Sequence, residues 1–414
     1  MTRLQALRPA LPILIGASVM LSLAMGLRQS LGLFMPPMTR DLGLPVAQFT
    51  LAIAVQNLCW GVLQPFAGAW AVRLGYRPLM VAGAALYAVG LVLLASAQGL
   101  LGVMLGAGLA IGAALACTGS ALAMAVAARP VSAALRSSVL GIVSAAGSLG
   151  ALLAAPLGQT LALAWGWRAG LLGFCVLSLL MLPAAWVAGR ADALPLPAGA
   201  AAGPVKAGDA LGIALRNPVF VVMSLTYFVC GMQLVFLTTH LPSYLDLCGM
   251  DPMLGAQALG MIGGFNVLGS LFFGWAGGRW NKLVLLGGIY IVRSLALAWY
   301  FSALPTPAMT LAFAGLMGFL WLGVVPLVAG WVADTFGLRW QAMLGGVAFV
   351  CHQIGSFVGA LGGGLVFDRL GSYTLAWQAG VALGLAAGLV QLLFARGRVP
   401  PLPPLPPLPP VARA

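Results

Sequence analysis

Residues 73–96 read RLGYRPLMVAGAALYAVGLVLLAS, with Arg73 and Arg77 standing directly before an apolar run that begins at Leu79. An α-helix rises 1.5 Å per residue, so the run over 79–96 is about 27 Å long, close to the roughly 30 Å of hydrocarbon in a bilayer. The segment therefore predicts a helix that crosses a membrane and keeps its arginines on the side where it begins.

The same pattern recurs along the whole chain of 414 residues. Hydrophobic residues make up 62% of it, charged residues only 7%, and Glu is absent. The runs do not alternate with period two as barrel strands do, and a helix satisfies its own backbone groups in lipid. We predict an all-α membrane protein with twelve transmembrane helices. The predicted spans are Leu11–Met35, Ala47–Val72, Leu79–Ser96, Leu100–Ala127, Ser138–Trp165, Ala169–Ala188, Pro218–Tyr244, Gly255–Ala276, Leu283–Ser302, Pro307–Ala333, Ala342–Phe367 and Thr374–Ala395.

The basic residues lie almost entirely in alternate gaps between these spans. One set of gaps, together with both chain ends, holds fifteen of the 20 lysines and arginines, whereas the other set holds Arg40, Arg168 and Arg369. Basic loops stay on the cytoplasmic side, so we predict a bacterial-type inner-membrane protein with both termini cytoplasmic. The net charge of +13 then reflects topology, with anionic membrane lipids rather than nucleic acid as the partner.

A polar interruption in the middle of the chain divides the spans six and six. We expect an N-terminal six-helix bundle at 1–189, a cytoplasmic central linker at 190–216, a C-terminal six-helix bundle at 217–396 and a proline-rich cytoplasmic tail at 397–414. The tail is expected to be extended polyproline outside the membrane. We interpret it as dispensable, and a segment that docks a partner is the alternative.

The two halves echo each other at an offset of about 205 residues. Gly68 recurs as Gly274, and Gly141 recurs as Gly346. A duplicated six-helix unit is typical of transporters, and it places the substrate near the bilayer midplane between the two halves. The sequence therefore predicts two pseudo-symmetric six-helix bundles with a site between them.

The loop between the second and third spans reads GAWAVRLGYR over 68–77. It resembles the loop of the major facilitator superfamily, which has Gly, three residues, Asp, a basic residue, any residue, Gly and further basic residues. Val72 replaces the acid, through which such loops bind a neighbouring helix end, and a weaker copy covers 274–282. The resemblance implies the major facilitator fold. It assigns the conformational-switch loops to Gly68, Arg73, Gly75, Arg77, Gly274 and Arg279.

The fifth span and its exit carry a second resemblance. Residues 141–150 read GIVSAAGSLG, the exit reads GWR at 166–168, and the first span contains RQS at 28–30. This combination is similar to the monocarboxylate-porter and oxalate/formate-exchanger branch of the superfamily. The resemblance implies that the substrate is a small organic anion.

Polar groups inside hydrocarbon cost free energy, about 2.5–3.5 kcal/mol for a central arginine, so they are candidate site residues. Arg28, beside Gln29, is interpreted as a fixed cation that draws a carboxylate into the cavity, and an arginine that reaches the outer interface is the alternative. His352, beside Gln353, is the best titratable group, because no Asp or Glu falls in the interior of any span. A core histidine bonded to a neighbouring helix is the alternative for His352.

Other polar or aromatic residues are expected either to line the pathway or to bond helices to each other. These are Gln56, Asn57, Tyr227, Gln233, Asn266 and Trp321. His240 is a candidate gating residue or a structural helix end, because Pro242 is expected to break the seventh helix. Arg293 is expected to pack or to snorkel, since the ninth helix is peripheral in the resembling fold.

These features favour a secondary transporter for a small organic anion, a monocarboxylate, that acts as a monomer and is coupled to protons or a counter-anion. Efflux of apolar or cationic compounds is the alternative, although a cation pathway usually contains an interior acid. A receptor needs a soluble module, and the longest non-membrane segment is under 30 residues. No phosphate-binding loop, nucleophile elbow or metal cluster appears, so we predict no enzymatic activity, cofactor or metal.

Overall fold

The computed structural model describes residues 8–195 and 206–395. Within these ranges twelve helices are long and apolar enough to cross a membrane, which confirms the predicted all-α fold with twelve spans. The tail at 397–414 and the middle of the predicted linker lie outside the described residues. The spans are α1 Arg8–Phe34, α2 Gln48–Leu74, α3 Tyr76–Ala95, α4 Leu100–Ala128, α5 Ala133–Gly158, α6 Thr160–Ala193, α7 Pro218–Leu241, α8 Gln257–Ala276, α9 Lys282–Phe301, α10 Pro307–Phe336, α11 Gln341–Phe367 and α12 Thr374–Ala395.

The helix that contains α7 does not break at Pro242, so that expectation was wrong. It runs from Pro218 to Leu247. Prolines also lie inside helices at Pro65 in α2 and Pro156 in α5. In membrane proteins, neighbouring helices and local adjustments compensate for the backbone donor that proline lacks, which is why a helix can continue through it.

Apolar side chains cover the outside of the helices, and polar ones are turned inward. Leu163 of α6 is 78% exposed and Leu393 of α12 is 72% exposed, whereas Gln64 and Arg293 are both completely buried. A protein in water has the opposite arrangement. This distribution is the one expected of helices that face lipid.

Turns with glycine at a positive φ repeat in the two halves, three of them between helices and one, at Gly166, at a kink within α6. Gly43 has a φ of 63° and its counterpart Gly249 has 72°, while Gly166 has 82° and its counterpart Gly371 has 64°. Glycine adopts this left-handed backbone readily because it has no Cβ. The same turns therefore occur about 205 residues apart, in agreement with the internal repeat that the sequence predicts.

The two halves meet where α2 packs on α11 and where α5 packs on α8, and we call these two contacts the seam. A Cβ on Gly68 of α2 would lie 2.3 Å from the backbone nitrogen of Met343. A Cβ on Gly274 of α8 would lie 2.4 Å from the Cα of Gly141, and Gly346 packs in the same way against α2. Glycines of both repeats thus let the backbones of the two halves touch.

An ion pair closes the seam on the terminal side, which we define as the side where α1 begins and α12 ends. There, Arg136 of the first half forms a 2.9 Å ion pair with Asp334 of the second. The contact continues to mid-depth, where Asn266 Nδ2 donates to Ser148 Oγ at 3.0 Å. Farther from the terminal side, a Cβ on Gly263 of α8 would meet nothing within 4 Å. The contacts across the seam that the structure records thus lie on the terminal side and at mid-depth.

The carboxylate of Asp192, at the end of α6, binds the loop between α2 and α3. This is the loop in which Val72 replaces the acid. Asp192 accepts hydrogen bonds from the backbone nitrogens of Tyr76 at 2.8 Å and Arg77 at 2.9 Å, and it lies 3.7 Å from Arg129. Gly75 has a φ of 90°, and a Cβ there would lie 2.9 Å from the carboxylate. Asp192 thus satisfies the free amides at the start of α3, where the helix dipole favours a negative charge.

Changing Gly274 to Ala tests the close approach between α5 and α8. The added methyl group would collide with backbone, so we expect the folded state to lose about 1–3 kcal/mol, as overpacked sites do. Thermal unfolding of the purified protein measures the loss. Gly288→Ala is the matched control, because a Cβ there meets nothing within 4 Å. Equal effects at the two positions would contradict the close approach.

Candidate functional site

A hydrogen-bonded network crosses the seam at mid-depth. Arg28 Nη2 donates to Asn57 Oδ1 at 2.5 Å. Gln353 Nε2 donates to the same oxygen at 3.2 Å and to the backbone oxygen of Asn57 at 3.0 Å. Arg28 and Asn57 belong to the first half and Gln353 to the second. We use the name central network for Arg28, Asn57, His352, Gln353 and Ser356. Ser356 belongs to it because its Oγ lies 3.4 Å from His352 Nδ1 and 3.4 Å from Gln353 Oε1.

His352 is held in one orientation by its neighbours. Its Nδ1 lies 3.1 Å from Gln353 Oε1, and its ring stacks on Phe349 with centroids 5.2 Å apart. The ring of Tyr227 contacts it with centroids 4.7 Å apart. Because the Gln353 oxygen can only accept, Nδ1 carries a proton, and in the neutral ring Nε2 is left as an acceptor.

The guanidinium of Arg28 is half-buried and lies against an aromatic face. Its Cζ is 5.1 Å from the centre of the Trp60 ring, a cation–π contact. Trp60 also contacts Phe349 across the seam, with centroids 4.7 Å apart, and its Nε1 donates to Gln64 at 2.9 Å. Asn57, the bonded partner of Arg28, lies nine residues inside α2, or about 14 Å from the helix end at Gln48. Among the described residues, the recorded partners of this cation are thus neutral.

The structure brings together five of the residues that the sequence singled out. Arg28, Asn57, His352 and Gln353 are members of the central network, and Tyr227 contacts it through His352. Gln29 is exposed and takes no part in it.

Two of the other expected residues bond helices within one half. Gln56 Nε2 donates at 2.7 Å to the carbonyl of Ala107, in a π-helical segment of α4. Gln233 Nε2 donates to Ser294 Oγ at 3.0 Å and to the carbonyl of Gly380 at 2.9 Å. These contacts match the alternative in which such residues join helices.

Asn266 and Trp321 lie at a break in α10. The helix is interrupted between Trp321 and Val324, and the free backbone nitrogen of Leu322 donates to Asn266 Oδ1 at 2.9 Å. Asn266 also bonds Ser148 of the first half, as described above. Asn266 therefore belongs to the α5–α8 side of the seam, whereas Trp321 packs in an apolar cluster of the second half with Ile262 and Met317.

His240 is bonded within the second half. Its Nε2 lies 2.9 Å from the carbonyl of Ala360 on α11, and its ring lies 5.1 Å from that of Tyr373 and 5.3 Å from that of Phe236. These contacts join α7, α11 and the start of α12. A gating role for His240 stays a prediction.

The arginines of the switch loops lie near the surface. Arg77 lies 4.7 Å from the ring of Trp186, and Arg279 lies 4.6 Å from the ring of Trp275. Arg73 is exposed. The glycines of these loops therefore form the close contacts, and the arginines flank them.

Arg293 of α9 occupies a position that the repeat explains. It is completely buried, and its Nη2 lies 3.4 Å from the carbonyl of Cys230 on α7. The repeat-equivalent residue is Tyr87, whose hydroxyl donates at 3.1 Å to the carbonyl of Ala24, the equivalent of Cys230. The same bond between helices occurs in both halves, with a guanidinium in place of a phenol. The side chain of Arg293 is therefore packed between α9 and α7 and does not extend to the membrane surface.

Three residues of the site were missed by the sequence reasoning. Phe349 and Ser356 lie three and four residues from His352, and Trp60 lies three residues from Asn57. Neighbours at these spacings share a helix face, so helical periodicity applied to the polar candidates could have found them.

The site is suited to binding rather than to covalent chemistry. It offers a guanidinium, two carboxamides and an imidazole, with no carboxylate beside them in the described part of the chain. In residues 8–195 and 206–395, no three His, Cys, Asp or Glu side chains are grouped to hold a metal ion. Donors around a fixed cation are what a small anion requires.

The fold and the site define a twelve-helix protein with a binding region between two pseudo-symmetric halves. The family model of the Major Facilitator Superfamily matches residues 16–360. The chain belongs to this superfamily. Membership makes it a membrane transporter in type and not an enzyme.

Individual relatives are distant. The uncharacterized MFS-type transporter YcxA of Bacillus subtilis is 26% identical over 163 residues, and the match spans 36% of this chain and 37% of that relative. The human organic anion transporter MFSD10 is similar in structure, with a TM-score of 0.68, 15% identity and coverage of 94% of this chain and 100% of that one. The fucose:proton symporter FucP of E. coli has a TM-score of 0.67, 17% identity and coverage of 93% and 98%. At these identities the structural likeness shows the fold alone.

Changing Arg293 to Tyr or to Ala tests the repeat-equivalent bond. Tyrosine is expected to keep a bond to the α7 carbonyl as Tyr87 does to α1, whereas alanine leaves a cavity that costs about 2–5 kcal/mol. Thermal unfolding midpoints of the purified variants measure the difference. Tyr87→Phe, which removes only the hydroxyl, should cost about 1 kcal/mol. An alanine variant as stable as the tyrosine variant would show that the bond from residue 293 to the α7 carbonyl does not stabilise the folded state.

Proposed function

We propose that the chain is a secondary transporter that carries a small organic anion, a monocarboxylate, across the membrane by alternating access. One observation supports this most strongly. Arg28 lies at the seam, half-buried, and its bonded partner Asn57 is neutral. No Asp or Glu of the sequence falls in the interior of a span, so no carboxylate of the chain is available there to balance it. An anion that enters the cavity supplies the missing charge.

The chemistry of Arg28 fits a carboxylate. Guanidinium presents its N–H groups in a planar fork that matches the two oxygens of a carboxylate, and such bonds are about twice as strong as neutral ones. An apolar surrounding strengthens the attraction further, because little water screens it. A cationic or apolar cargo gains nothing from this arrangement, which is why we favour an organic anion over efflux of such compounds.

The proposed orientation places the terminal side in the cytoplasm. That side carries fifteen of the 20 basic residues, and positive loops are retained inside. The closed part of the seam then faces the cytoplasm, so the structure corresponds to the outward-facing form. The inner-membrane location and the boundaries of the two bundles, at 1–189 and 217–396, are part of this proposal.

The coupling mechanism centres on His352. A neutral imidazole with Nδ1 bonded to Gln353 leaves Nε2 to accept a proton, which would allow symport of a proton with the anion. Exchange for a counter-anion needs no titratable group. Uptake into proteoliposomes under an imposed pH gradient, compared with uptake into vesicles preloaded with unlabelled anion, separates the two mechanisms.

The neighbours agree with a transporter of small solutes. One of them is an organic anion transporter and another a fucose:proton symporter, and neither likeness extends to substrate at the observed identities. The proposal for this chain therefore rests on Arg28 and its surroundings. Binding of a monocarboxylate to the protein as a monomer is part of it.

Replacing Arg28 tests the proposed function. Reconstituted protein is assayed for uptake of labelled acetate, pyruvate, L-lactate and benzoate. Loss of a hydrogen bond to a charged group costs about 1.5–3 kcal/mol, so we expect Arg28→Ala to raise KM about 10- to 100-fold. Arg28→Lys keeps the charge but lacks the planar fork, so its KM should lie between those of the wild type and Arg28→Ala.

Arg190→Ala is the matched control, since it removes a cation from an exposed position outside the site. Unchanged KM in both Arg28 variants, at unchanged unfolding midpoints, would rule out Arg28 as the anion-binding group. Uptake of none of the four carboxylates, together with resistance to cationic drugs in cells that make the protein, would favour efflux instead.

A further inference from the structure

The amide oxygen of Asn57 lies where a carboxylate oxygen of the substrate would bind Arg28. We propose that Asn57 is a built-in neutral competitor that occupies Arg28 in the empty outward-facing form and restricts the site to anions. The inference rests on the proposed function and concerns the same site. It gives Asn57 a role different from that of a substrate ligand.

The orientation of the Asn57 amide is fixed by three bonds. Its Nδ2 donates to the carbonyl of Ile53 at 2.9 Å, which leaves Oδ1 directed at Arg28. Oδ1 accepts from Arg28 Nη2 at 2.5 Å and from Gln353 Nε2 at 3.2 Å. An amide oxygen has two lone pairs, so both are used. Asn57 is only 7% exposed, which protects these bonds from water.

The bond from Arg28 uses the nitrogen that matters most for a carboxylate. A guanidinium binds a carboxylate through Nε with Nη2, or through Nη1 with Nη2, and both forks include Nη2. Arg28 Nε is buried and has no partner among the residues that the structure describes. Nη2 carries two hydrogens, one in each fork, so a carboxylate that binds through the fork whose hydrogen Asn57 accepts has to displace Asn57 from Arg28.

This exchange of partners favours anions. A hydroxyl, an amide or water replaces one neutral acceptor by another and gains little. A carboxylate replaces a neutral acceptor by a charged one, and such bonds are about twice as strong. The bond from Arg28 to Asn57 thus lowers the affinity of the site for every ligand. A carboxylate still gains from replacing Asn57 at Arg28, whereas a neutral ligand does not.

Displacement of Asn57 from Arg28 does not undo the seam. Gln353 Nε2 still donates to the backbone oxygen of Asn57 at 3.0 Å, a bond that any residue at position 57 can accept. Packing of Gly61 against Gln353, where a Cβ would lie 2.7 Å from the side chain, is also independent of the amide. Variants at position 57 therefore affect the occupancy of Arg28 more than the closure of the halves.

Binding of matched carboxylates and amides to the purified full chain tests the competitor. The probes are acetate, pyruvate, L-lactate and benzoate, each compared with its primary amide by calorimetry in nanodiscs. Wild type is expected to bind at least one carboxylate and not its amide. Asn57→Ala should bind that carboxylate about tenfold more tightly and begin to bind the amide. Asn57→Asp, a permanent internal carboxylate, should bind it at least tenfold more weakly.

Two controls separate the competitor from general effects. Gln257→Glu makes the same change from amide to acid at an exposed position of α8 and should leave affinity unchanged. Asn57→Ser, whose side chain is shorter, is a second removal variant and should behave as Asn57→Ala does. Unfolding midpoints establish that each variant is folded.

The outcomes distinguish this inference from the proposed function. Carboxylate binding that Arg28→Ala weakens, but that neither Asn57→Ala nor Asn57→Ser strengthens, overturns the competitor and leaves the proposed function standing. Binding that appears only when Asn57 is removed supports the competitor strongly. No carboxylate binding in wild type or in either removal variant overturns both proposals.

Discussion

The contact of backbone on backbone at the seam is the constraint on which the rest of the structure depends. Lipid is as apolar as leucine, so burying apolar side chains gives little drive for two helices to associate in a membrane. Glycines at Gly68, Gly141, Gly274 and Gly346 let the helices approach closely enough for dispersion forces to act over many atoms. Only at that separation can Gln353 reach Asn57 and assemble the central network.

The second constraint is the balance of charge in an apolar interior. Arg28 and Arg293 lie in the interior of spans, far from the helix ends, and no carboxylate partner of either is recorded among the described residues. Arg293 is enclosed, and its bonds to Cys230 join two helices of one half. Arg28 is half-buried at the boundary of both halves, where its partner can change. The different roles that we propose for the two arginines therefore rest on access and on exchangeable partners, not on residue type.

Much of the fold could be predicted from the sequence, because hydrophobic length and arginine placement are properties of each segment alone. The twelve spans follow from them, whereas the repeat was indicated by recurring glycines and the superfamily by the resemblance of the loop at 68–77. The interior of the site could be predicted only in part. His352 and Arg28 stand out as polar groups in apolar runs, but their contacts with Trp60, Phe349 and Ser356 depend on helix rotation. The sequence shows that Val72 stands where the resembling loops have an acid. That Asp192 binds this loop instead depends on where α6 ends.

Duplication explains how a symmetric scaffold acquired an asymmetric site. At the offset of 206 residues that pairs Ala24 with Cys230 and Tyr87 with Arg293, the position of Arg28 corresponds to Leu234, an apolar residue that packs within the second half. The equivalent of Arg293 in the first half is Tyr87, which forms the same bond between helices without a charge. Each half thus carries one arginine in the interior of its spans, Arg28 on its first helix and Arg293 on its third. Arg28 bonds Asn57, which also bonds Gln353 of the second half, so the arginine of the first half lies at the boundary between the bundles.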